Sequence, residues 1–161
     1  MNAFNFKLQR MGRGIGSLAL VGALFTWVGL VHATEPDPKN IIITMPDKIP
    51  WVENTKAGSA QAILHGDPAK PGLYIVLTKW HAGHMSRPHF HQHDRFITVL
   101  SGTWWTGTGT KYDPASTMAV PAGSYVVHPG KGIHYDGAKD GDVVLQILGE
   151  GPANSTPAEV K

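Results

Sequence analysis

The sequence predicts an all-β fold in a single domain, a barrel or sandwich, and three observations carry that prediction. Short apolar runs alternate with turn signals, as in proteins built from many short strands. No segment beyond the leader keeps a helical period for three turns. The composition has 19 glycines, 12 prolines and only 16% charged residues, which suits a turn-rich β fold better than a helical bundle. A chain of 161 residues is long enough for one hydrophobic core and too short for two ordinary domains.

The elements follow in order. Residues 1–33 read as a secretory signal peptide. Lys7, Arg10 and Arg13 form a basic start, Ile15 to Val31 is mostly apolar, and Val31-His32-Ala33 offers a small-x-small cleavage pattern. An uncleaved membrane anchor is the alternative, and the apolar run, about 17 residues, is at the short edge of a spanning helix. Residues 34–40 (TEPDPKN) are polar and proline-bearing, hence a linker. The domain itself spans 41–150. Within it the apolar runs Ile41–Thr44, Ala60–Leu64, Leu73–Trp80, Phe96–Leu100, Met118–Val120, Ser124–His128 and Val143–Leu148 are the expected strands. A short helix is expected at most near 113–117, and residues 151–161 read as a surface tail without chemistry.

Charge and cysteine content narrow the partners. The whole chain carries 14 basic and 12 acidic residues, a net +2. Removing the three basic residues of the leader leaves 11 against 12, a net charge of −1. With no basic stripe, the electrostatic footprint of nucleic-acid binding is missing. After cleavage no stable membrane association is expected, and the mature protein is placed in the periplasm or outside the cell. There is no cysteine, so an exported chain must be held by its core, and any metal site must use histidine, carboxylate or water. Phosphate-binding loops, HExxH helices and nucleophile elbows are all absent from the sequence.

The stretch from Gly83 to Arg95, GHMSRPHFHQHDR, is the most informative in the chain. If it is extended, alternation puts His89, His91, His93 and Arg95 on one face. Neutral imidazoles at adjacent same-face positions can converge on one ion of Fe, Mn, Ni, Cu or Zn, and a third ligand must come from elsewhere.

These residues resemble the first cupin motif, in which Gly83, His89, His91 and Gly102 match and Arg95 stands where glutamate is usual. The second cupin motif is similar to Gly123, Pro129 and His134, with Lys131 in place of its inner glycine and Ala138 in place of its final asparagine. The resemblance covers roughly 73–149 and implies a single-domain jelly-roll β-barrel. It nominates His89, His91 and His134 as ligands of a divalent metal ion, and it implies a homodimer.

A guanidinium offers no lone pair and repels a nearby cation, so Arg95 cannot be a ligand. Three readings stay open: Arg95 turned aside from a three-histidine site, Arg95 holding the carboxylate of an anionic substrate beside the metal, or a barrel that has lost its metal. His93 and His128 are pocket candidates for acid-base work, His128 equally a hydrogen-bonded interior histidine. His65, His81 and His84 read as surface or turn residues. Of Trp104 and Trp105 one ring points inward, as core or as a pocket wall. Gln146, in an apolar strand, either orients a ligand or satisfies a backbone group. The function expected is an exported metal-dependent enzyme acting on a small organic molecule, in the first instance a dioxygenase-type oxidoreductase, with an isomerase or lyase equally in the resemblance. A non-catalytic metal- or metabolite-binding module is the alternative.

Overall fold

The computed structural model describes residues 34–160, so the leader read at 1–33 lies outside the described residues. Two compact units are distinguished, Met1–Ile42 and Ile43–Lys161, and the fold belongs to the second. In the first, residues 34–42 are exposed, with a turn in which Asn40 and Ile41 both donate backbone N–H bonds to the Asp37 carbonyl. No helix among the described residues is long and apolar enough to cross a membrane.

Eleven strands make two antiparallel sheets. They are β1 (Val52–Asn54), β2 (Ser59–His65), β3 (Gly72–Trp80), β4 (His89–His91), β5 (Arg95–Ser101), β6 (Thr103–Thr108), β7 (Met118–Pro121), β8 (Tyr125–His128), β9 (His134–Gly137), β10 (Val143–Gly151) and β11 (Ser155–Pro157). One sheet has the order β1-β2-β3-β10-β5-β8 and the other β11-β4-β9-β6-β7. The all-β, jelly-roll reading of the sequence is therefore what the chain adopts.

Strand alternation explains the core. Along β10, Val143, Leu145 and Ile147 turn inward, beside Tyr74 and Val76 of β3 and Ile97 and Val99 of β5. Trp104 and Val120 of the opposite sheet complete the cluster. Trp104 is 1% exposed, whereas Trp105 faces out under the ammonium of Lys139, 3.7 Å above its ring. One ring in and one out is what period-two backbone dictates.

The short helix expected near 113–117 is a single 3-10 turn, Pro114–Ser116, capped by the Asp113 carboxylate, which accepts the Ala115 N–H. Two expectations need correction. Ile41–Thr44 is not a strand; its isoleucines are exposed, and the sheet edge beside β2 is filled by β1. An apolar run becomes a strand only where its side chains find a surface to pack on, and these isoleucines find none.

The C-terminal segment is also more than a surface tail. Ser155–Pro157 pairs antiparallel with His89–His91, the Ala158 N–H bonds the Pro88 carbonyl, and the Arg87 guanidinium grips the Glu159 carboxylate. The physical reason is that β4 has only three residues and an edge that would otherwise present unpaired backbone. Five strands lie outside the apolar runs, β1, β4, β6, β9 and β11, because polar residues, histidine or glycine dominate or flank them.

The turn between β8 and β9 contains the one non-glycine residue with a positive φ among the described residues, Lys131 at φ 64°. This is the position where the cupin motif has glycine. The turn needs a left-handed residue there because Lys131 N–H reaches the His91 carbonyl at 2.7 Å while Gly132 N–H returns to Pro129. A left-handed lysine costs about 1 kcal/mol. Lys131→Gly is accordingly expected to raise stability by up to about 1 kcal/mol, less the extra chain entropy of glycine. Chemical denaturation would show it as a higher midpoint at unchanged slope, and a lower midpoint would dismiss the strain.

Candidate metal centre

Two registers bring the histidines together. In the β4–β9 pair His89 lies directly opposite His134, and in the β5–β8 pair Arg95 lies directly opposite His128. Cross-strand partners share a face with Cβ atoms about 5 Å apart. His91, two residues from His89, projects to the same side. The ring of His134 lies 4.5 Å from His89, 5.4 Å from His91 and 3.8 Å from His128. One ligand nitrogen from each of His89, His91 and His134 falls within 4.8 Å of the others.

The hydrogen bonds on the other side of these rings decide what the nitrogens can do. His89 Nδ1 bonds the Arg87 carbonyl at 2.8 Å, His91 Nδ1 the Asn154 carbonyl at 3.0 Å, and His134 Nδ1 the Gly132 carbonyl at 2.9 Å. A carbonyl only accepts, so each Nδ1 must carry the proton and each Nε2 is left as a lone pair. Fixing the tautomer through a backbone carbonyl is how proteins orient metal-ligating imidazoles. His134 Nε2 is moreover buried with no hydrogen-bond partner, as the lone pair of a ligand would be.

Electrostatics point the same way. Burial, then the charge of Arg95 and the neighbouring His89, lower the His91 pKa to about 3. Burial, then His134 and Arg95, lower that of His128 to about 2. His134 is also lowered, chiefly by burial, against the opposing pull of the Asp136 carboxylate. All three rings are thus neutral near pH 7, the state that binds a cation. The donor set fits a divalent transition metal.

The remaining sequence-nominated residues divide. Arg95 faces the site: its Nη1 donates to His91 Nε2 at 2.5 Å, while its Nε is buried without a partner. His128, 8% exposed, lies against Trp104 with ring centroids 5.2 Å apart, and its Nδ1 is likewise unpartnered. His93 does not join them. It is exposed in the bend between β4 and β5, where alternation stops because the Asp94 carboxylate accepts the Gly130 N–H and the chain turns. Gln146 faces away from the inward row of β10 and is no part of the site. His81 stands at the surface between Glu53 and Asp142, and His65 and His84 are exposed.

Asp136 and the backbone carbonyls that face the rings, that of Asn154 among them, escaped the sequence reading. Asp136 is buried, groups with His128 and His134 as a second possible donor set, and places Oδ2 3.8 Å from His134 Nε2. Its spacing of two from His134 on one strand was the available signal. Asn154 contributes only its carbonyl, for which no side-chain pattern exists.

The histidines open onto a cavity of about 930 Å³ inside the barrel. Tyr74, Ile97, Trp104 and Leu145 give it apolar walls, and His89, His91, Arg95 and His128 supply its polar end. Its size and mixed lining suit a small organic ligand.

A two-sheet β-barrel with histidines from facing strands converging at one end of its interior is the architecture of the double-stranded β-helix. No family model and no curated protein matches the sequence. Solved structures do match the fold. KdgF from Halomonas sp. is 21% identical, covering 70% of this chain and 96% of its own, with a TM-score of 0.54. The polyketide cyclase RemF from Streptomyces resistomycificus is 12% identical over 75% of this chain and 87% of its own, TM-score 0.62. A cupin-2 domain protein from Rhodospirillum rubrum is 16% identical over 75% and 80%, TM-score 0.55. The chain therefore has the cupin fold.

Proposed function

We propose that the protein is a metal-dependent cupin enzyme acting on a small organic molecule held in the barrel cavity. The single observation that carries this reading is the set of three Nδ1-to-carbonyl hydrogen bonds, which leaves the Nε2 atoms of His89, His91 and His134 as converging lone pairs. Structure is not maintained by so orienting three unprotonated nitrogens toward one another; a cation is what they suit. A bound divalent ion, of Fe, Mn, Ni, Cu or Zn, would supply a Lewis acid with open positions for substrate, water or dioxygen.

Around it, the chain's own residues divide the work. The apolar walls exclude water and position the carbon skeleton of the substrate. His128, buried against Trp104 and unpartnered at Nδ1, offers a hydrogen-bonding ring to a molecule held in the cavity. Arg95 orients an anionic group. Three neutral ligands and no ligating carboxylate leave the full charge of the ion for substrate, and oxygen-dependent oxidation is the first chemistry to assay. RemF, a polyketide cyclase on the same fold, is consistent with a small-molecule substrate.

The test is turnover. Protein loaded with each metal in turn would be offered a panel of small carboxylic acids, following oxygen uptake and product formation. Conversion by one metal form supports the enzyme. Stoichiometric metal with ligand binding but no conversion of any compound would replace it by a non-catalytic binding module.

Export and pairing belong to the same proposal. The basic-then-apolar leader supports a periplasmic or secreted location. Leu73, Phe96, Leu100, Tyr125 and Val127 are exposed on the outer face of the six-stranded sheet, which supports a homodimer formed through that face.

A further inference from the structure

We propose that Arg95 is a gate that makes metal binding and the capture of a carboxylate interdependent. The inference rests on the three-histidine reading above and names the class of ligand that the site takes: a small organic acid. His91 has one lone pair to offer, at Nε2, because its Nδ1–H is committed to the Asn154 carbonyl. Arg95 Nη1 sits on that lone pair at 2.5 Å. An ion cannot bond His91 until the guanidinium has moved away.

Where it stands, Arg95 has no anionic partner among the described residues, and its Nε is already buried without a hydrogen bond. Its cross-strand neighbour His128 is an imidazole and offers no negative charge. The buried carboxylate near the site, Asp136, lies toward His134. A cation released beside a divalent ion in a partly buried cavity is repelled by it and needs an anion from outside.

A carboxylate meets that need with two oxygens, which match the planar fork of Nε and one Nη. The cavity wall includes Arg95, so the acid would enter where the guanidinium already faces. Each ligand therefore removes an obstacle to the other. The metal takes the lone pair Arg95 was capping, and the acid takes the charge that was released. By linkage the factor by which an acid tightens metal binding equals the factor by which metal tightens the acid.

The experiment is calorimetric titration of protein purified without an affinity tag with zinc(II), with and without saturating acetate, corrected for the weak hold of acetate on zinc. Wild-type protein is expected to bind zinc on the order of tenfold tighter in acetate, and acetate on the order of tenfold tighter when zinc is present. Arg95→Leu is expected to bind zinc tighter than wild type without acetate, on the order of tenfold or more, because a charged hydrogen bond no longer competes. Acetate should then change nothing. Arg95→Gln, which keeps a polar side chain on β5, provides the same comparison should the leucine variant misfold. Acetate coupling that persists in both variants would mean the acid ligates the metal directly, and equal zinc affinity in wild type and variants would mean Arg95 blocks nothing; either overturns the gate while the metal site stands. Failure of wild type and variants alike to bind zinc would instead remove the site itself.

Discussion

His134→Ala is expected to strip the protein of its metal, with affinity falling by about a hundredfold or more, whereas His93→Ala is expected to leave metal content unchanged. His93 is the third histidine of the His89–His93 cluster and shares its face by alternation, whereas His134 comes from the second motif, 41 residues on. The structure separates them. His134 is 4% exposed, its Nδ1 is tied to the Gly132 carbonyl, and its Nε2 is buried with nothing to bond. His93 lies exposed in the bend after β4. Elemental analysis of dialysed protein, purified without an affinity tag, gives the readout. Because removing a buried ring opens a cavity of its own, His134→Gln and His89→Ala should accompany it; His89 is only half-buried and the fold should tolerate its loss. Stoichiometric metal surviving in all three would remove the proposed ligand set.

Acid is expected to destabilise the metal-free protein well before its carboxylates titrate. His91 and His128 have folded pKa values lowered to about 3 and about 2, chiefly by burial, and His134 is lowered as well. In the unfolded chain a histidine titrates near 6.5. Between the unfolded and folded values the unfolded state therefore binds more protons, so stability falls as pH falls. The stabilisation is fully present above about pH 6.5 and is lost progressively toward pH 3. Each such histidine contributes a slope of up to about 1.4 kcal/mol per pH unit within that window. Urea denaturation at pH 7.5, 6.5, 5.5 and 5.0 samples the part above ordinary carboxylate titration. His128→Leu, which removes one of these groups and keeps all three proposed ligands, should flatten the fall. Stability unchanged from pH 7.5 to 5.0 would show that these rings are not held neutral by the fold.

Much of the fold was legible because it is local. Six of the seven apolar runs fall on strands, since alternation and turn residues act over a few positions. Ile41–Thr44 failed because a strand needs neighbours to pair with and pack on, and its isoleucines stay exposed. β9, the tetrapeptide His134–Gly137, was missed as a strand for the opposite reason: it is fully buried yet carries no apolar alternation, its inward positions being occupied by histidine and aspartate. β11 was missed because small polar residues beside prolines have no pattern of their own, and only the open edge of β4 orders them.

For the site, the sequence by itself determined which residues carry coordinating chemistry. His89 and His91 share a face by the period of a strand, His134 follows from the resemblance of the second motif, and Arg95 is marked by standing where a carboxylate is usual. The first of these depends on residue type and spacing alone, and the other two on the resemblance of the motifs. Only the tertiary structure decided what each nitrogen is free to do. Three backbone carbonyls from separate places in the chain, Arg87, Gly132 and Asn154, set the tautomers, and the turn at Asp94 and Gly130 swings His93 out while Arg95 turns in to cap His91. A carbonyl is present at every residue and so leaves no mark in a sequence; its position is created when the strands pair, and with it the chemistry of the rings it faces.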